Sequence, residues 1–74
     1  MEYYVITQLG RQVIPLLREK GRDDEADILE YLRLNGAVTV EQITILNESE
    51  VRLKLRILAR EKWVKRRRMK ALSS

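Results

Sequence analysis

The sequence predicts a mainly α-helical domain closed by a small β-ribbon, in which an N-terminal strand pairs with a basic C-terminal strand, either within one chain or swapped across a dimer. Three observations carry that prediction: helical stretches with start and stop signals between residues 8 and 61, an aromatic and β-branched run at the N-terminus, and a Trp-Val pair leading into a run of cations. A chain of 74 residues has room for one domain. A domain of that size buries only about 60% of the surface its unfolded chain exposes, so its stability margin is thin. The predicted domain spans residues 1–70, with 71–74 as a frayed end.

The elements follow in order. EYYVIT has aromatic and β-branched residues at consecutive positions and reads as a strand over about residues 2–7. Thr7 then caps a helix over about 8–20, with Leu9, Val13, Leu16 and Leu17 on its inner side and Gly21 as its stop. Pro15 removes the amide that would bond the carbonyl of Arg11, at a cost of about 3 kcal/mol in a regular helix interior, so a kink or split is expected there. The second helix, about 24–35, starts at a cap from Asp23 or Asp24, buries Ile28, Leu29 and Leu32 with Tyr31 at their flank, and ends at Asn35-Gly36. Its acids Asp23, Asp24, Glu25 and Asp27 fit the positive end of the helix dipole, not a metal site, because nothing nearby completes an oxygen cage.

A third, short helix is expected over about 39–46, where Thr39 and Gln42 have capping-box spacing and Val40, Ile43 and Leu46 face inward. The fourth, about 49–61, is capped by Asn47 or Ser49. A strand over about 63–69 closes the domain.

Cysteine and histidine are both absent, which removes disulfides, zinc sites, thiol chemistry and imidazole acid–base catalysis. No glycine-rich phosphate loop exists, and no nucleophile has a base and an orienting third group. The chain is therefore expected to be no enzyme and to use no cofactor or metal. It has no apolar run of about 18 residues, and its N-terminus lacks the features of a signal peptide, so the expectation is a soluble cytoplasmic protein without a membrane partner.

The net charge of +4 is unevenly distributed. Residues 1–50 hold five cations and ten acids, whereas residues 51–74 hold ten cations and one acid, Glu61. A field of that asymmetry recruits polyanions, and nucleic acid is the commonest of them inside cells.

At 100° per residue, Val51, Leu55 and Leu58 share one arc of the fourth helix, with Ala59 at its edge. Arg52, Arg56 and Arg60 form a second stripe, and Leu53 and Ile57 a small apolar strip on the far side. The spacing of Val51, Leu55, Leu58, Lys62, Trp63 and Val64 resembles that of the winged helix-turn-helix family. In that pattern a recognition helix with apolar residues at these intervals leads through a glycine into a wing strand. Lys62 departs from it, standing where glycine takes a left-handed conformation, at a cost of roughly 1 kcal/mol. YYVITQLGRQV is also similar to the second wing strand and following helix of such proteins, but here it comes first. The same order occurs in tandem winged helices such as the N-terminal modules of phenylalanyl-tRNA synthetase alpha subunits.

The resemblance implies double-stranded DNA as partner, with the fourth helix in the major groove and the wing on adjacent backbone. The residues it points to are Arg52, Lys54, Arg56 and Arg60 on the helix, and Lys65, Arg66, Arg67, Arg68 and Lys70 on and after the strand. Glu48 and Glu50 at the leading end of the helix repel phosphates, so binding is expected to be weakly selective and salt-dependent. Five to seven phosphate contacts imply a log–log salt slope of roughly −4.5 to −6.3. Trp63 is expected as a core plug under the wing. Two alternatives stand beside this reading: an RNA- or tRNA-binding module, and a protein-interaction domain or homodimer using Leu53 and Ile57. The simplest fate for that apolar pair is burial under the first helix near Pro15.

Overall fold

A computed structural model describes residues 2–68. The order is β1 (Glu2–Ile6), α1 (Gln8–Glu19), α2 (Asp23–Asn35), a single 3-10 turn (Val40–Gln42), α3 (Glu48–Arg60) and β2 (Val64–Arg68). The fold is thus mainly helical with a two-stranded antiparallel ribbon, compatible with a small winged-helix-like architecture. Lys70, with the last part of the predicted strand and the frayed end, lies outside the described residues.

The ribbon pairs β1 with β2 within the chain, Ile6 opposite Val64, Tyr4 opposite Arg66 and Glu2 opposite Arg68. On its other edge Tyr4 exchanges two backbone hydrogen bonds with Val38, of 2.7 and 3.1 Å, which extends the sheet across β1 for one residue. Val64 and Val38 are buried, and Tyr4 and Ile6 pack against the core, so this face of the ribbon covers the helices. By strand alternation Tyr3, Val5, Lys65 and Arg67 occupy the opposite face.

The core is the one predicted for α2 and α3. Ile28, Leu29, Leu32, Val51, Leu55 and Leu58 are fully buried, and Val40 and Ile43 join them. Tyr31 and Leu46 pack at the edge. Asn47 caps α3 by accepting from the Glu50 amide at 2.9 Å, and Thr7 caps α1 by accepting from the Gly10 amide at 3.0 Å.

Four expectations are corrected. The third helix is only the turn Val40–Gln42: Gln42 Oε1 accepts from the Thr39 amide at 2.8 Å, but Ile43, Thr44 and Ile45 are β-branched and poor propagators of a helix. No aspartate caps α2. Arg22 takes the N-cap position without a side-chain cap bond, and Asp23 and Asp24 begin the helix itself. In α1, Leu9 and Leu16 are 47% and 53% exposed, and the inner side is Gly10, Ile14 and Leu17. The helix is not split at Pro15 but runs unbroken from Gln8 to Glu19, with Pro15 and Arg11 both on its exposed side.

Helix α3 ends in a Schellman motif: the Trp63 amide bonds the Leu58 carbonyl at 2.9 Å and the Lys62 amide that of Ala59 at 3.0 Å. Lys62 has φ of 66°, the left-handed conformation its place in the sequence predicts. Lys62→Gly should therefore stabilise the fold by about 1 kcal/mol in urea denaturation. An unchanged or lowered midpoint would mean that the lysine stem makes contacts offsetting the strain.

Candidate nucleic-acid interface

The junction between α1 and the start of β2 sets the position of the ribbon relative to α3. The Thr7 hydroxyl donates to the Lys62 carbonyl at 2.8 Å and lies 3.1 Å from the carbonyl of Trp63, which also accepts from the Thr7 amide at 3.0 Å. One residue thus caps α1 and grips the turn after α3. Gly10 lies directly against that turn: a Cβ there would stand 2.2 Å from the Trp63 carbonyl oxygen. The Thr-x-x-Gly spacing has a local physical cause, since the cap and the close approach fall one helical turn apart.

Trp63 is half-buried, packing one side on the core and carrying the Arg22 guanidinium over its ring, 5.6 Å from the centroid. Arg22 in turn makes a two-pronged pair with Glu25, Nε to Oε1 at 2.8 Å and the terminal nitrogen to Oε2 at 2.6 Å. Glu25 is the one buried charged residue among those described, at 4% exposure. Its hydrogen bond to Arg22 raises the guanidinium above its already high ordinary pKa, so Arg22 stays charged at any working pH. Of the other acids at the start of α2, Asp27 and Asp23 lie 3.0 and 3.8 Å from Arg18, and Asp24 forms no ion pair among the described residues. The first two turns of α2 are thereby tied into ion pairs on the α1 side of the domain.

Between α3 and the ribbon runs an open groove of about 670 Å³. Arg52 and Arg56 line it from the helix, Lys62 from the left-handed turn and Arg66 from β2, and Lys65 borders it although strand alternation places its side chain on the other face of the ribbon. Tyr4, Leu55, Ala59 and Val64 contribute to the groove lining, with Glu2 among the charged groups there. Cations from three separate segments therefore meet along one channel. Lys62, which the sequence reading treated only as a departure from a pattern, belongs to this set. Its signal in the sequence was a lysine where the backbone favours glycine.

The predicted binding residues divide by their partners. Arg52 lies between Glu48 at 3.5 Å and Glu41 at 3.8 Å, at the acidic leading end of α3. Arg66 and Arg68 lie 3.9 and 3.4 Å from the Glu2 carboxylate. Among the described residues, Arg56, Arg60, Lys65 and Arg67 form no ion pair with a carboxylate. Lys54 turns away from the groove and lines a separate hollow with Gly21–Glu25. The unpaired positive charge thus lies toward the C-terminal half of α3 and the ribbon.

Leu53 and Ile57 are not covered by α1. Leu53 is 55% exposed and Ile57 half-buried, while α1 turns Gly10, Ile14 and Leu17 inward.

Compared with known proteins, the chain matches no family model, no curated protein and no solved structure. Among the described residues, no helix is long and apolar enough to cross a membrane.

Proposed function

We propose that this chain is a binding protein for duplex nucleic acid, DNA in the first place, which it holds by the phosphate backbone in the groove between α3 and the ribbon. In a cell this is the role of a small winged-helix regulator or chromatin-type binder with weak sequence preference. The observation that carries the reading is the convergence of Arg52, Arg56, Lys62 and Arg66 on one groove, with Lys65 at its border. Guanidinium and ammonium groups gathered along a groove neutralise phosphates and release their counterions. Base reading is a minor part of the mechanism, since Glu41 and Glu48 occupy Arg52 at the end of α3 that would enter a major groove deepest.

Duplex is favoured over single strands because base stacking needs aromatic platforms. On the outer face of the ribbon only Tyr3 supplies one among the described residues, while Tyr4 packs inward. A competition assay with labelled random duplex DNA at about 50 mM salt tests this. Unlabelled duplex of any sequence should displace the probe better than structured RNA or single strands. Stronger competition by structured RNA would assign the groove to RNA, and absence of binding at that salt would remove the reading.

The exposure of Leu53 favours a second reading, a partner or homodimer contact on the side of α3 away from the groove. Sedimentation of the isolated chain checks it. A monomer leaves Leu53 without a like partner, and a dimer dissociated by Leu53→Glu assigns it one.

A further inference from the structure

We infer that Glu2 is a built-in competitor for the phosphate, holding Arg66 of the binding groove and Arg68 on the same strand face until nucleic acid displaces it. The inference rests on the groove reading and goes beyond it, because it gives an acid at the site a defined role. Glu2 begins β1 directly opposite Arg68, and its Oε2 lies 3.4 Å from an Arg68 terminal nitrogen and 3.9 Å from Arg66 Nε. Strand alternation puts Glu2, Arg66 and Arg68 on the ribbon face that looks toward α3. Glu2 lines both the main groove and a neighbouring hollow formed with Thr39, Val40, Glu41 and Arg52. One carboxylate oxygen thus stands between two guanidinium groups, where a phosphate oxygen would accept the same charge-assisted bonds.

The pairing is weak enough to be exchanged. Arg66 and Arg68 are 62% and 78% exposed and Glu2 36%, and ion pairs at such exposure hold little net energy in water. Glu41 and Glu48 stand in the same relation to Arg52 at the far side of the hollow. The groove therefore carries its own counterions at the ribbon tip and at the leading end of α3. A polyanion first engages Arg56, Lys62 and Lys65, and gains Arg66 and Arg68 only by displacing Glu2.

Glu2→Gln keeps the shape and removes the charge. Glu19→Gln, at the exposed end of α1 away from the groove, changes net charge equally and serves as control. Each chain is titrated with labelled random duplex across a salt series, and Trp63 fluorescence and circular dichroism confirm that the fold is retained. Glu2→Gln should bind about three- to tenfold more tightly than the unaltered chain at low salt. Its log–log salt slope should change little, because both arginines reach phosphate in either chain once Glu2 is displaced, and Glu19→Gln should bind like the unaltered protein. Equal gains from the two substitutions would reduce the effect to net charge and overturn the role of Glu2. Binding by the unaltered chain with no change in Glu2→Gln would overturn it too and leave the groove reading standing. Failure of every chain to bind at low salt would remove both.

Discussion

Gly10→Ala is expected to destabilise the domain by about 3 kcal/mol, a large share of what so small a fold possesses. The added Cβ would meet the Trp63 carbonyl oxygen at 2.2 Å and Ile6 Cγ1 at 2.9 Å. Neither partner can yield independently. The carbonyl is held by the Thr7 amide, the neighbouring Lys62 carbonyl by the Thr7 hydroxyl, and Ile6 is paired with Val64 in the ribbon. Relief requires α1 to move away from the start of β2, opening the core beside Trp63 and loosening the cap at Thr7. In thermal denaturation the midpoint should fall by roughly 12–24 °C for a domain of this length. Gly21→Ala is the contrasting case: nothing lies within 4 Å of a Cβ there, and only the left-handed φ of 77° is disfavoured, at about 1 kcal/mol. Equal losses at the two glycines would show that α1 does not approach β2 as closely as described.

Arg56→Ala combined with Lys65→Ala should weaken duplex binding roughly 60-fold at 0.1 M salt. The figure follows from counterion release: each phosphate contact contributes about 0.9 to the log–log slope, or about eightfold in affinity between 1 M and 0.1 M salt. These two residues are chosen because Arg56 lines the groove, Lys65 borders it and neither forms an ion pair with a carboxylate among the described residues, so their loss leaves no buried or orphaned acid. Both are exposed, and stability should change by less than about 0.5 kcal/mol. Lys62→Gly makes the complementary test, since it should raise stability while lowering affinity. A lysine held in a left-handed conformation at the groove then has a functional reason to be there.

Much of this architecture was legible in the residues, and the parts that were not have specific causes. The Thr7 cap, the Asn35-Gly36 stop and the buried arc of Val51, Leu55 and Leu58 follow from local chemistry that has one good solution, whereas the choice of Asn47 over Ser49 as cap and of pairing within the chain over a swap is made only in the fold. The phase of α1 did not, because LGRQVIPLL spreads its apolar residues over an arc of about 160°, wide enough to face the core in more than one orientation. The deciding residue is Gly10: the side with no side chain is the one that can approach a backbone carbonyl, and that rotates Ile14 and Leu17 inward while Leu9 and Leu16 face water. Residues 39–46 misled for a different reason. Capping-box spacing starts a helix but cannot extend one through β-branched residues, and Val38 already belongs to the sheet through Tyr4. At the groove, the arginine stripe of α3 and the basic strand were visible as patterns. The pairing of Glu2 with β2 and of Glu41 with Arg52 was not, because those carboxylates come from segments distant in sequence and meet the arginines only once the ribbon and the 3-10 turn are in place.

The most direct test of the account is a salt titration of the unaltered chain on random duplex DNA. If the five groove cations meet phosphates, the log–log slope between about 50 and 300 mM salt should lie near −4.5 and vary little between unrelated sequences. A slope near zero, or binding confined to one sequence and insensitive to salt, would contradict it.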